Sequence, residues 1–229
     1  MTTRALILAA GRGERMRPLT DHTPKPLLQV RGQRLIEWHL QALAAAGVRE
    51  VVVNTAWLEE QFEPALGDGA RWGVQLHWSR EGRDHGGALE TAGGIAKALP
   101  LLGEAFWVVS GDVFLPGFAF DSAPAQAVMA GTHLAHLWMV PNAPHHPRGD
   151  FSLGEDGLLG SDTDRPRLTW ASVGLFHRAM FERVTVGQRM ALRPLLESAI
   201  AQRRLAGSRW GGAWTDVGTP ERLASLQQG

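Results

Sequence analysis

The chain of 229 residues contains no cysteine, which excludes disulfides and thiolate metal sites and leaves the compartment unreadable from redox chemistry. It carries no net charge, with 23 basic and 23 acidic side chains. A long polyanion recruits a basic face, so nucleic acid is not an expected partner, whereas a small anion needs only a local cluster of donors. No apolar run approaches the ~18 residues of a membrane span. The short run Ala5 to Ala10 is too brief for a secretory signal and ends in Gly11-Arg12-Gly13. These absences predict a cytoplasmic protein with no membrane partner. Lysine is scarce too: Lys25 and Lys97 stand against an arginine-dominated set, and Lys25 is held between Pro24 and Pro26.

Apolar content of 44% and charged content of 20% are ordinary for a globular chain long enough to bury a sizeable core. Leu6-Ile7-Leu8, Val51-Val52-Val53 and Phe106 to Val109 are unbroken apolar runs, as expected of strands covered on both faces. Between them, Leu35 to Ala44 recurs with helical spacing and stops at Gly47. Trp57 to Leu66 reads as a helix whose last turn Pro64 should disturb, and Val74, Leu76 and Trp78 alternate as a half-buried strand does. Leu89 to Leu99 reads as a helix despite Gly93-Gly94, each costing about 1 kcal/mol in a helix interior. This rhythm predicts an α/β fold with a mostly parallel, doubly wound, Rossmann-like sheet flanked by helices. In the second half, Leu134 to Val140, Leu168 to Phe176 and Ala213 to Val217 read as strands and Leu192 to Ala201 as a helix. Thr219 caps a last helix that has Pro220 at its first position. Pro141 to Pro147 is a loop, and no repeat or linker divides the chain.

The sequence from Leu8 to Pro26 runs a hydrophobic strand into a glycine-rich loop with Arg12, Arg15 and Arg17, then the Pro-Lys-Pro clamp. A dinucleotide-binding fingerprint requires a third glycine at position 16, where Met16 stands, and Pro18 biases Arg17 away from helical geometry. The Walker pattern is absent as well. Glycine spacing alone is equally that of a tight turn; Arg15 and Lys25 tip it towards a polyphosphate lying on bare backbone. Asp112 follows a buried strand, at the carboxyl edge where open α/β sheets place ligands. Two carboxylates converging from strand ends suit Mg²⁺, but by spacing alone Asp112 reads as a turn residue and Asp216 as a cap. Adjacent side chains such as His145 and His146 point apart, so a shared zinc ion is not expected.

The run LAAGRGERMRPLTDHTPKP resembles the N-terminal motif of the sugar-1-phosphate nucleotidyltransferases, the nucleotide-sugar pyrophosphorylases. The resemblance extends over the whole chain, to Ser110-Gly111-Asp112 and to Trp214-Thr215-Asp216-Val217-Gly218-Thr219-Pro220-Glu221-Arg222-Leu223. Leu89 to Gly94 and His145 to Phe151 are similar to the subgroup that uridylylates N-acetylmuramate 1-phosphate in peptidoglycan recycling. It implies a single domain over 1–229 of the nucleotide-diphospho-sugar transferase type, with a nucleotide-binding half (1–112) and a sugar-binding half (113–229). Ala10, Gly11, Gly13, Arg15, Lys25, Glu81 and Thr91 would then bind the nucleoside triphosphate. Glu90, Ser110, Gly149 and Asp150 would bind the sugar 1-phosphate. Asp112 and Asp216 would hold Mg²⁺, and Arg15, Lys25 and Asp112 would be the catalytic set.

Three departures bear on the sugar. Ser110 stands where the subgroup has asparagine, the stretch Arg83 to Gly87 is longer than in relatives, and the Glu-Lys-Pro motif of larger relatives is absent. Arg148, Asp150 or Arg193 would take over that motif's role. The implied reaction joins a nucleoside triphosphate, UTP first, to a sugar 1-phosphate, with release of pyrophosphate. Mannose-1-phosphate guanylyl transfer and glucose-1-phosphate thymidylyl transfer are alternatives. A catalytically silent nucleotide-sugar-binding regulator is a third, against which the intact Arg15, Lys25, Asp112 and Asp216 argue. Without the C-terminal extension of allosteric relatives, a monomer or simple dimer is expected.

Overall fold

Unbroken apolar runs build the centre of the molecule because each is covered on both faces. The computed structural model describes residues 3–228. The first half contains β1 (Arg4–Leu8), β2 (Gln29–Val30), β3 (Gln33–Arg34), α1 (Leu35–Ala45), β4 (Glu50–Thr55) and α2 (Phe62–Leu66). There follow β5 (Gln75–Arg80), α3 (Glu81–His85), α4 (Glu90–Ala98), β6 (Ala105–Ser110) and β7 (Val113–Phe114). The second half adds α5 (Gln126–Met129), β8 (Ala135–Val140), β9 (Phe151–Leu153), β10 (Leu159–Gly160) and β11 (Arg167–His177). Last come α6 (Arg193–Ala201), β12 (Leu205–Arg209), β13 (Thr215–Asp216) and α7 (Pro220–Ser225).

Nine strands form one sheet in the order β10-β9-β11-β6-β1-β4-β5, with β8 paired to β11 and β12 to β8. The neighbours β6, β1, β4 and β5 are all parallel, as their sequence rhythm predicts. Beyond β6 the direction reverses: β11 is antiparallel to β6, β8 and β9, whereas β12 returns parallel to β8. The sheet is therefore mixed, mostly parallel. Strand β11 bends between Trp170 and Gly174, where its register on β8 shifts and Ser172 takes a φ of 60°. That bulge lets one long strand leave the central sheet and pair with β9 at the rim.

The period of two divides the core. Ile7, Val51, Val53, Trp107 and Val109 face α1 and α2 through Ile36, Leu40, Leu43 and Phe62. Leu6, Val52, Phe106 and Val108 face the other way, onto Ala92, Ile95, Phe181 and Leu196. A third, smaller cluster joins Met16, Val30, Leu35, Phe114, Val217 and Leu223. It ties the root of the glycine loop to β13 and α7, so Met16, at the position where a dinucleotide fold needs glycine, is a core anchor.

One helix differs from expectation. The segment Trp57 to Leu66 is broken at Leu58, whose φ is 49°, into a single 3-10 turn over Glu59–Gln61 and then α2. Pro64 lies in the first turn of α2, where its missing N–H is not needed, and so does not disturb the last turn.

Two buried histidines give the fold an acid weakness. His39 on α1 donates Nε2–H to the Val113 carbonyl at 3.0 Å, and burial lowers its pKa to about 4. His136 on β8 lies 2.9 Å from the Ser208 hydroxyl and is likewise lowered by burial to about 4. Between the ordinary histidine value near 6.5 and about 4, the unfolded chain binds these protons and the native chain does not. Stability is therefore complete above pH 6.5 and falls as the pH drops towards 4, by up to about 3 kcal/mol per histidine. Urea melts at pH 7 and 5 are expected to show this loss, and His136→Gln is expected to remove part of it.

Candidate active site

Leu8, Asn54 and Ser110 stand in one row at the carboxyl edge of the parallel strands, each in register with its neighbour. Just beyond that row is a cavity of about 300 Å³. Ala9, Ala10, Gly11 and Gly13 from the glycine loop line it, together with Lys25, Asn54, Glu81, Glu90, Thr91, Ser110 and Asp112. Nine of the residues expected from sequence to bind ligand or metal thus share one hollow.

Two glycines of the loop are glycine for different reasons. Gly13 has a φ of 65°, and a Cβ there would lie 3.1 Å from Thr20 Cγ2 and 3.4 Å from the Lys25 side chain. Its carbonyl accepts the buried Thr20 hydroxyl at 2.8 Å. At Gly11 a Cβ would meet nothing within 4 Å and φ is not in the left-handed region. The fold itself does not require glycine there, and the bare backbone leaves open space for a ligand at the cavity wall. Gly13→Ala is expected to lower the melting temperature, at a cost of at least about 1 kcal/mol. Gly11→Ala is expected to leave it unchanged and to raise KM for the nucleotide at least tenfold, measured under saturating sugar phosphate.

The three loop arginines also divide. Arg12 stacks over Trp57 at 4.1 Å, and Arg17 pairs with Asp21 at 2.7 Å. Arg15 is exposed and, among the described residues, has no ion-pair partner. It is the cation of the loop left available to an incoming anion, although it stands outside the cavity lining.

Lys25 opens a single 3-10 turn after Pro24 and is only 6% exposed. Its Nζ lies 2.6 Å from Asp112 Oδ2, and the Ser110 hydroxyl donates to Asp112 Oδ1 at 2.7 Å. Burial opposes charge on Asp112, but the Lys25 ammonium and these hydrogen bonds outweigh it and hold the carboxyl below its usual range. Gly111 makes the approach possible: a Cβ there would lie 3.0 Å from the Leu8 carbonyl and 3.2 Å from Pro26. The Asp112 side chain is still 34% exposed, so it can face a ligand while paired.

The backbone at Asp216 is joined to the segment after Asp112 by a two-residue ladder that no spacing rule foretells, although Asp216 stands outside the lining of this cavity. Strand β13 pairs antiparallel with β7, Asp216 opposite Val113, and the Val217 N–H donates to the Asp112 carbonyl at 3.2 Å. The Asp216 carboxylate accepts from Arg222 Nη1 at 2.7 Å and lies 3.6 Å from His145 Nε2. A carboxylate in the turn between β6 and β7 and another on β13, the strand paired with β7, are hard donors of the kind a divalent cation takes alongside phosphate oxygens and water. No group of three or more His, Cys, Asp or Glu side chains able to hold a metal occurs among the described residues.

Glu81 stands at the back of the cavity, fully buried. Asn54 Nδ2 donates to its Oε1 at 2.6 Å and the Leu89 N–H to its Oε2 at 2.7 Å, while Asn54 Oδ1 accepts the Ala9 N–H at 2.7 Å. This chain of bonds fixes the glycine loop to the start of α4. Burial raises the pKa of Glu81 against the opposing effect of those bonds. Its place is that of a positioning residue, with both oxygens engaged by the protein. The helix glycines are explained here too: a Cβ on Gly94 would lie 2.5 Å from Glu81 Oε1, and one on Gly93 would lie 2.2 Å from the Gln188 carbonyl.

Glu90 and Thr91 open α4 on the rim, with Glu90 held at a φ of 60°, a conformation costly for a non-glycine residue. Gly149 and Asp150, expected to contact the sugar, have structural partners of their own. Gly149 is buried, and a Cβ would lie 2.7 Å from Asn142 Oδ1 and 3.0 Å from the backbone of Arg167 and Leu168. Asp150 Oδ2 accepts the Trp170 N–H at 2.8 Å, and its Oδ1 lies 3.2 Å from His146 Nε2. Both serve the junction of β9 and β11 and stand outside the cavity. The two adjacent histidines do point apart, each to its own aspartate. Asn54, Thr20, His39 and Arg222 were not foreseen; only Asn54 had a signal, as the polar residue ending the run Val51 to Val53.

A family model for nucleotidyl transferases matches residues 4–229. The chain is 49% identical over 227 residues to N-acetylmuramate alpha-1-phosphate uridylyltransferase of Neisseria meningitidis serogroup B, covering 98% of this chain and 96% of that protein. It is 30% identical over 230 residues to the mannose-1-phosphate guanylyltransferase catalytic subunit beta of Drosophila pseudoobscura pseudoobscura, but spans only 60% of it. The fold matches that of HddC from Yersinia pseudotuberculosis complexed with GMP-PN, with a TM-score of 0.77, 15% identity and 99% of each chain covered. The match over nearly the whole sequence, together with the cavity at the carboxyl edge, shows that the chain belongs to the nucleotidyl transferase family.

Proposed function

We propose that this protein transfers the uridylyl group of UTP to N-acetylmuramate 1-phosphate, giving the UDP-sugar and pyrophosphate, within cytoplasmic peptidoglycan recycling. The observation that carries the reading is the 2.6 Å pair of Lys25 and Asp112 inside the cavity lined by Gly11 and Gly13. The 49% identity to the Neisseria meningitidis enzyme along 96% of its length favours this nucleotide and sugar. No helix among the described residues is long and apolar enough to cross a membrane.

An oxygen of the sugar phosphate attacks the α-phosphorus, a new P–O bond forms, and the bond to the β-phosphate oxygen breaks on the opposite side. No general base is needed, because the attacking phosphate is already ionised. Charge grows on the leaving pyrophosphate, and fixed cations there lower the barrier more than they stabilise the ground state. Lys25 and Arg15 take that part. The backbone of Ala10, Gly11 and Gly13 lets the triphosphate lie close, and Thr91 and Glu90 border the nucleotide and sugar sides. Ser110 orients Asp112 through its hydroxyl. Mg²⁺, held by Asp112 and Asp216, would neutralise phosphate charge and align the reactants. The nucleotide is bound by residues 1–112 and the sugar chiefly by 113–229.

The test is pyrophosphate release over a grid of UTP, GTP and dTTP against N-acetylmuramate, mannose and glucose 1-phosphates. The expected result is a single strong pairing, UTP with N-acetylmuramate 1-phosphate. Preference for GTP with mannose 1-phosphate would transfer the chain to the guanylyl branch, and no release with any pair would make it a binding protein.

A further inference from the structure

A second cavity, of about 740 Å³, opens beside Asp216. Its walls are mostly apolar, with Val140, Pro141, Ala143, Pro144 and Trp214 among them. The indole of Trp214 is fixed by a 3.0 Å bond from Nε1 to the Ala171 carbonyl. Into this apolar space the chain places two basic side chains, Arg222 and His145. Arg222 sits one turn into α7, and its Nη1 is used fully, on Asp216 Oδ2 at 2.7 Å, the Asp216 carbonyl at 3.0 Å and His145 Nε2 at 2.8 Å. Nε and Nη2 have no acceptor among the described residues.

Gly218 makes room for the guanidinium. A Cβ there would lie 2.6 Å from Arg222 Nη2 and 3.1 Å from Cζ. Pairing with Asp216 therefore accounts for one edge of the guanidinium and leaves the other, Nε with Nη2, as a preformed fork. Such a fork suits a planar carboxylate, which can accept two parallel N–H bonds. Asp216 already balances the charge of the guanidinium, but Nε and Nη2 still lack acceptors among the described residues, and a second carboxylate would complete their hydrogen bonds.

We propose that Arg222, backed by His145, recognises a carboxylate carried by the sugar 1-phosphate, and so selects an acidic sugar over its neutral counterpart. The apolar walls would cover the short alkyl portion of the acidic substituent. This rests on the reading of the protein as a sugar-1-phosphate nucleotidyltransferase, and it names the feature of the sugar that is read. N-acetylmuramate differs from N-acetylglucosamine by a lactyl ether that ends in such a carboxylate, so the two 1-phosphates form the natural test pair.

The experiment compares kcat/KM for these two sugar 1-phosphates with saturating UTP, in the wild type, Arg222→Gln, Arg222→Lys and His145→Gln. Wild type is expected to favour the acidic sugar at least 30-fold. In Arg222→Gln both rates fall, because Asp216 loses a partner, but the acidic-to-neutral ratio falls at least tenfold further, mostly through KM of the acidic sugar. Arg222→Lys is expected to restore part of the ratio. His145→Gln, at an exposed site where folding is not at stake, lowers it about fivefold. An unchanged ratio in both Arg222→Gln and His145→Gln would overturn the proposal, leaving Arg222 as a support for Asp216 alone. The enzymatic reading fails separately, if wild type releases no pyrophosphate with either sugar.

Discussion

Lys25→Ala is expected to lower kcat by about two to three orders of magnitude, the usual loss when one preorganised donor to a developing anion is removed. The effect is assigned to the chemical step because Lys25 is held in place, 6% exposed and with Nζ on Asp112 at the wall of the cavity. A second consequence separates this from simple loss of affinity. Lys25 is the main influence holding the Asp112 carboxyl low against its burial. Without it, only the Ser110 and backbone hydrogen bonds oppose burial, and the carboxyl rises. The acid limb of the rate profile should then move to higher pH in Lys25→Ala than in wild type. Circular dichroism melts check that the variant is folded, and Lys25→Met keeps the apolar stem if alanine proves too disruptive. An acid limb that stays in place, with kcat near normal, would remove Lys25 from the mechanism.

Asp216→Ala is the second large effect, and its signature is metal dependence. On the proposed reading, the protein supplies two carboxylates, Asp112 and Asp216, to the metal. Removing one leaves the cation with Asp112 and substrate phosphates. Half-saturation by Mg²⁺ is expected to rise at least tenfold, and kcat at high Mg²⁺ to stay at least a hundredfold below wild type. Asp112→Ala should do the same and lose the Lys25 pair as well. The two carboxylates act on one ion, so the double variant should cost little more than the worse single one. An unchanged Mg²⁺ midpoint in Asp216→Ala would assign this residue to Arg222 and His145 alone.

Much of the nucleotide side was legible in the sequence because its parts are local. A buried strand, two glycines, a clamped lysine and an aspartate after Phe106 to Val109 all lie where parallel strands end, and the fold brings them to one edge. What stayed hidden depends on pairings between distant segments. Nothing in the spacing of residues 112 and 216 announces the ladder of β7 with β13 that joins them. Glu81 looked like a ligand contact, yet its carboxylate is consumed by Asn54 and Leu89. Gly149, expected at the sugar, also owes its missing side chain to the close approach of the Asn142 side chain and the Arg167–Leu168 backbone. The direction of β11 was equally unreadable, because an apolar run does not record which way its neighbour travels. The helix glycines carry the general lesson: a residue unfavourable by propensity marks something close by, here Glu81 and the loop at Gln188.

The central claim is transfer of a nucleotidyl group at the cavity floored by Lys25 and Asp112. It is tested most directly by following label from UTP in the presence of N-acetylmuramate 1-phosphate. With ³²P at the α-position, all transferred label should appear in the UDP-sugar; with ³²P at the γ-position, all should leave as pyrophosphate. Label from the γ-position appearing in the sugar, or as free phosphate without nucleotide-sugar, would contradict the account.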